Sequence, residues 1–155
     1  MSPSRRKVGL AAVAGLVLAL LIGAAAGVGT FTFAYAQGGS YLTNDPAACA
    51  NCHVMREHYD AWIKSTHRAV ATCNDCHSPQ GAGPKAWTKA RNGFHHSLAF
   101  TTGRFDEPIR ITPRNLAIVE AACRNCHGEV VAAIDAGPQE PIACVRCHAG
   151  VGHPR

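Results

Sequence analysis

Eight cysteines occur in this chain, and all of them fall into one repeated pattern: two cysteines three apart, with histidine directly after the second. The copies are Cys49, Cys52 and His53; Cys73, Cys76 and His77; Cys123, Cys126 and His127; and Cys144, Cys147 and His148. Two thiols at this spacing can add to the two vinyl groups of one haem, and the adjoining imidazole can reach its iron. A zinc site or a redox dithiol uses the cysteine pair but does not require histidine in the same slot four times. A disulfide framework would need partners outside the pairs, and cysteines this close make poor structural bridges. The chemistry implied is four covalently bound haem c groups.

Four irons offer eight axial positions, and the motif histidines can fill four. His58, His67, His95, His96 and His153 remain, together with Met55, the one methionine besides the initiator. Low-spin electron-transfer haems take two axial ligands, so several of these are expected to be distal ligands. Met55 follows His53 by two residues, which span at most about 7 Å, too little to reach round a macrocycle to its other face. Met55 therefore replaces His53 at the first iron, serves another haem, or packs; position alone leaves the three open.

The elements that hold these residues are expected to be helical. Asn44-Asp45-Pro46 has the form of a helix start, a capping side chain followed by proline in the first turn, and that short helix would carry the first motif. A second helix is predicted from about Glu57 to His67, burying Tyr59, Trp62 and Ile63. Ser78 to Pro84 reads as a loop, Lys85 to Phe100 as a helix with Trp87, Phe94 and Leu98 as apolar positions, and Gly103 to Thr112 as irregular. Thr112-Pro113 opens another helix, with Leu116, Val119 and Ala122 on one face, delivering Cys123. Pro138 and Pro141 bound the last short segment before Cys144. The first cysteines are spaced by 24, 50 and 21 residues, which suggests two dihaem units with a longer connection between them. Few residues remain for an ordinary core, so porphyrin must supply much of the buried apolar surface.

No charged residue occurs from Val8 to Ala36, a run longer than the roughly 20 residues needed to span a bilayer. A cleaved signal peptide is the rival reading, with Arg5, Arg6 and Lys7 as its basic region and Ala34-Tyr35-Ala36 as its cleavage site. Its apolar core would be about twice the usual 7–15 residues, which favours an uncleaved anchor. The expected organisation is a basic cytoplasmic tail (1–7), a transmembrane anchor (8–36) and a periplasmic haem domain (37–155), with the N-terminus inside by the positive-inside rule. Gly23 and Gly27, extended by Ala19, could let two such helices pack as a homodimer, although an anchor this rich in small residues yields the spacing by chance. The net charge is +5, but beyond the tail there are twelve Lys/Arg against ten Asp/Glu, which excludes the concentrated basic surface of a nucleic-acid binder.

Beyond the haem motifs, several stretches are distinctive: Tyr41-Leu42, Asp45-Pro46, Cys49 to Met55, Ser65 to His67, Lys89-Ala90-Arg91, His96-Ser97, Ala99-Phe100, and His148 to His153. With the basic tail and single anchor, they resemble the NapC/NirT family of membrane-anchored tetrahaem quinol dehydrogenases, in particular the small subunits of cytochrome c nitrite reductases. The resemblance implies an all-α fold, a single N-terminal transmembrane helix followed by a small haem-packed multihaem cytochrome c domain. It implies Met55 as the protein ligand of the first haem, displacing His53, and His77 at the second, with a lysine of the partner catalytic subunit as sixth ligand. It pairs His127 with His153 and His148 with His67, and His96 is held in reserve for the second haem. Menaquinol would be oxidised at the open face of the first haem, with Lys85 as the quinol-site lysine. The family's acidic residue falls at Asn92, and an amide cannot accept a proton at neutral pH. His95 or His96, three and four residues on, could take that role, or solvent could.

The function expected is oxidation of menaquinol in the bacterial inner (cytoplasmic) membrane and delivery of electrons to a periplasmic multihaem nitrite reductase subunit, in respiratory nitrite ammonification. Donation to another periplasmic reductase, for nitrate or trimethylamine oxide, is the alternative within the family. A passive tethered cytochrome is the alternative outside it. Nitrite reduction by this chain itself would want a polar, water-accessible distal pocket, whereas an open position near the membrane suits a quinol better.

Overall fold

A computed structural model of the chain describes residues 3–137 and 142–153, with side chains from Gly9 onward. The chain forms two units, residues 1–39 and 40–155. Among the described residues every regular element is helical.

The first unit is one helix, α1 (Pro3–Tyr35). At 1.5 Å per residue it is about 50 Å long, more than the hydrocarbon thickness of a bilayer. Within it, Gly9–Tyr35 contains an 18-residue stretch of mean hydropathy 2.4 and is long and apolar enough to cross a membrane. Phe31 stacks on Tyr35 one turn later, with ring centroids 5.7 Å apart. The helix stops where Gln37 takes a left-handed conformation, φ 52°. Gly38 follows because a β-carbon there would overlap the Phe33 ring.

The second unit begins with a 3-10 turn (Gly38–Leu42) that runs on from the first. It continues with α2 (Pro46–Cys49), a 3-10 turn (His53–Met55), α3 (Arg56–Lys64), a 3-10 turn (Thr66–Ala69) and α4 (Cys73–His77). The two long helices α5 (Ala82–Thr102) and α6 (Pro113–Asp135) follow, then a 3-10 turn (Cys144–Arg146). The starts are set locally. Asp45 caps α2 by accepting the Ala47 N–H at 2.9 Å, and Pro46 occupies the first turn. The Thr112 hydroxyl accepts the Asn115 N–H at the head of α6. In α4 the Asp75 carboxylate accepts from both the N–H (2.8 Å) and the hydroxyl (2.7 Å) of Thr72.

Three expectations are corrected. The helix predicted to reach His67 ends at Lys64, because Ser65 is extended (ψ 155°), and His67 lies in a separate 3-10 turn. The helix predicted to begin at Lys85 begins at Ala82. Pro84 is accommodated in its first turn, where an N–H is unpaired anyway. Its other end overshoots Phe100 to Gly103, whose left-handed φ of 65° closes it. Finally, α2 ends at Cys49, so the first motif runs off the helix rather than riding on it. The predicted role of Pro138 and Pro141 lies outside the described residues.

No apolar side chain among the described residues is fully buried; Ser78 and Thr88 are the buried ones. Tyr59, Trp62 and Ile63 are half-buried, Trp62 fixed by its Nε1–H donating to the Ala71 carbonyl at 3.0 Å. Trp87, Phe94 and Leu98 stand exposed along one side of α5. The polypeptide packs chiefly through α4 against α6, and α2 against α3 and α4. That is the packing expected of a chain whose interior is completed by haem.

Candidate functional site

The four motifs adopt different local geometries. The second lies wholly in α4 and the third within α6, so in each the two cysteines sit one helical turn apart on one side. The first spans the end of α2 and the following 3-10 turn, and the fourth a 3-10 turn. None of the eight cysteines is in a disulfide. Among the described residues no cluster of three or more His, Cys, Asp or Glu side chains has the arrangement of a metal site. The buried hydroxyls of Ser65 and Thr88 and the Nδ1 of His58 have no polypeptide partner, as expected where a further group completes the interior. The donor set, two thiols and an imidazole per motif, fits haem c.

The motifs also pair. The Cys49 and Cys73 thiols lie close enough to interact, which lowers the Cys49 pKa to about 7 and raises that of Cys73. The Cys123 and Cys144 side chains lie close together as well. Cys76 and Cys126 are near enough to influence one another, so the second and third motifs adjoin. These contacts join the first motif to the second and the third to the fourth, as the spacing suggested, but the second and third adjoin as well, through α4 against α6, so the motifs do not divide into two separate units.

The histidines gather in two groups. His153 lies 4.7 Å from His58 and 5.9 Å from His77, ring centroid to centroid, and the latter pair is nearly parallel. Burial, then the neighbouring His153 and His58, lowers the His77 pKa to about 4. His67 faces His127 with centroids 6.1 Å apart. His53 and Met55 share one 3-10 turn, His53 exposed and Met55 half-buried. His148 is exposed just beyond the last turn.

Helix α5 carries the other candidates. At about 100° per residue, Lys85, Lys89, Asn92 and His96 fall within roughly 60° of one another, and Trp87, Phe94 and Leu98 lie on the opposite side. The polar stripe meets residues 40–44. Lys89 Nζ donates to the Thr43 carbonyl at 2.6 Å and to Asn44 Oδ1 at 3.2 Å. Tyr41 Oη lies 2.9 Å from His96 Nδ1, and its ring would sit 3.5 Å from a β-carbon at Gly93. Burial, then Cys52 and Cys49, pushes the Tyr41 pKa up to about 12, so the phenol stays protonated in its hydrogen bond with His96. Tyr41 is thus beside the first motif. His96 keeps an open edge, but its packed side desolvates it, and with help from His95 its pKa is lowered. Asn92 Oδ1 accepts from Asn115 Nδ2 at 3.3 Å, which ties α5 to α6. His95 lies off the stripe, its ring 5.5 Å from that of Phe94. The structure therefore separates the two histidines that follow Asn92.

Sequence reasoning did not find Tyr41 as a partner of this stripe, nor Lys89 as its anchor. The 4-3-4 spacing of Lys85, Lys89, Asn92 and His96 was the available signal. It also missed Glu120, whose carboxylate accepts from the Cys144 N–H (2.8 Å) and Val145 N–H (3.1 Å).

Comparison with known proteins places these observations in context. Residues 11–155 match the description "NapC/NirT cytochrome c family, N-terminal region". The chain is 35% identical over 127 residues to the cytochrome c-type protein NrfH of Wolinella succinogenes, covering 74% of this chain and 71% of that one. It is 28% identical over 142 residues to the cytochrome c nitrite reductase subunit NrfH of Nitratidesulfovibrio vulgaris, covering 89% and 85%. A crystal structure of the cytochrome c nitrite reductase NrfHA complex bound to the HQNO inhibitor contains a chain that superposes with a TM-score of 0.63. That match is at 29% identity and covers 87% of this chain and 91% of the other.

Proposed function

This chain belongs to the NapC/NirT cytochrome c family, and from that premise we propose that it oxidises menaquinol and donates electrons to a periplasmic multihaem nitrite reductase subunit. It is a single-pass membrane c-type cytochrome. We place it in the bacterial inner membrane, N-terminus inside and residues 37–155 in the periplasm, with four haems attached through its eight cysteines. When bound, the haems supply one-electron transfer, which lets a two-electron quinol be drained stepwise outward from the membrane.

The observation that carries this reading is the polar stripe of α5 set against Tyr41, beside the first motif and only a few residues beyond the end of the anchor. Lys85 and Asn92 lie one above the other on that stripe, able to orient a quinol hydroxyl. Asn92 cannot take the proton, and its carbonyl is already engaged by Asn115. A proton released there meets His96 and the Tyr41 hydroxyl, the proton-exchanging pair on that face. Met55 is assigned to the first iron in place of His53, and His77, His127 and His148 to the others. His67 and His153 are assigned as distal ligands. The resemblance pairs them with His148 and His127, while the motif histidines whose rings they meet are His127 and His77. His96, bonded to Tyr41, is the reserve ligand.

The test is reduction of the purified, haem-loaded protein in detergent by a soluble menaquinol analogue, followed through the haem absorption bands. Lys85→Ala is expected to slow this at least tenfold while leaving reduction by dithionite complete. Equal rates for both proteins would remove Lys85 from the quinol site.

A further inference from the structure

The residue directly after the first cysteine of a haem motif is left free by the attachment chemistry, and in the two inner motifs it does the same thing. Asn74, in the second motif, turns out of α4. Its Nδ2 donates to the Thr43 carbonyl and to Asn44 Oδ1, each at 3.1 Å, and its Oδ1 accepts from the Ser78 hydroxyl at 3.2 Å. Thr43 and Asn44 immediately precede the Asp45 cap of the helix that ends at Cys49. Arg124, in the third motif, turns out of α6. Its Nη2 donates to the Ile142 carbonyl at 3.1 Å, two residues before Cys144. Its Nε is held by Asp135 (3.0 Å) and its Nη1 by Glu120 (3.1 Å), and Glu120 in turn holds the Cys144 and Val145 N–H groups. Each inner motif thus grips the backbone leading into the neighbouring outer motif, and at each grip the two first cysteines meet.

We propose that Asn74 and Arg124 are positioning residues that clasp each outer motif to its inner neighbour, the first to the second and the fourth to the third. Each outer haem is then oriented by a side chain from the inner motif beside it. This rests on the haem-attachment reading but not on the identity of the electron donor or acceptor. The two clasps differ in redundancy. Lys89 donates to the same two oxygens as Asn74, whereas the Ile142 carbonyl receives Arg124.

The experiment uses the full chain, haem-loaded in detergent, as wild type, Asn74→Leu, Arg124→Leu and the conservative Arg124→Lys. Intact mass first establishes four haems; fewer in the wild type would defeat the haem-attachment reading itself, separately from the clasps. A redox titration followed by visible and electron paramagnetic resonance spectra is then expected to show two of the four potentials displaced in Arg124→Leu. The other two should be displaced, by less, in Asn74→Leu, and Arg124→Lys should return towards wild type. Displacement of the same haems by both leucine variants, or of none, overturns the proposal. Should Arg124→Leu lose a haem, peptide mapping decides: bare Cys144 and Cys147 support the clasp, and bare cysteines in the first or second motif refute it.

Discussion

The outer motifs at Cys49 and Cys144 are held by different chemistry. Near Cys49, an amide (Asn74) and an ammonium (Lys89) converge on one carbonyl and one amide oxygen. Near Cys144, a carboxylate (Glu120) takes two backbone N–H groups, and the guanidinium of Arg124 bridges it to Asp135 and to the backbone. The first arrangement offers two donors for the same neutral acceptors, and the adjoining carboxylate, Asp45, caps α2 without touching either donor. The second is charged and serial, since Glu120 is both an anchor for the backbone and a partner of Arg124. Two ends of one small domain can therefore fail under different conditions.

The largest expected effect is at Glu120. Replacing it with Ala leaves the Cys144 and Val145 N–H groups without their acceptor and costs about 2 kcal/mol, discounted for partial exposure. Asn44→Ala at the other end removes one of two shared acceptors and costs less than about 1 kcal/mol. Urea unfolding of the haem-loaded protein reads both, and a larger loss at Asn44 would reverse the comparison.

Acid sharpens it further. Burial raises the Glu120 pKa, but the N–H groups of Cys144 and Val145 and the hydrogen bonds from the Cys144 and Arg124 side chains outweigh it, leaving the carboxyl below its usual range. A depressed folded-state pKa gives stability that is fully present above the unfolded value, about 4.3, and lost as pH falls through the folded one. Backbone protection at residues 144–145, relative to the intrinsic exchange rate, should accordingly fall below about pH 4.3, ahead of Ala50, whose N–H donates to the Ala47 carbonyl, and Glu120→Gln should flatten that dependence. Simultaneous loosening of both segments would show that acid acts elsewhere.

The smallest effect is that of salt. Asp135 and Arg124 are partly exposed, so Asp135→Asn is expected to cost less than about 1 kcal/mol, with the difference shrinking in high salt. The Asn74 contact, made by a neutral amide, should be indifferent to ionic strength. A salt-independent Asp135 effect would mean that its role is packing rather than charge.

By itself the sequence determined whatever depends on covalent chemistry or short-range bonding. Cysteine spacing and adjacent histidines mark four motifs of the c-type cytochrome pattern, and a long uncharged run marks the spanning helix. Asp45-Pro46 and Thr112-Pro113 mark helix starts because a cap and its N–H lie within three residues. The helix ends were less legible. Ser65 suits a helix or an extended segment and Pro84 a loop or the first turn of a helix, so neither residue type marks the boundary by itself. Only the tertiary structure decided which motif meets which, and through what. Asn74 reaches Thr43 across 31 residues, Tyr41 reaches His96 across 55, and Arg124 combines Glu120, Asp135 and Ile142 in one cluster. Asn92 and Asn115 join across 23 residues although nothing in the local pattern of either helix names the other. A side chain's hydrogen-bonding capacity is fixed by its type, but its partner is fixed by the path of the chain, and that path is set by the packing of all the elements together.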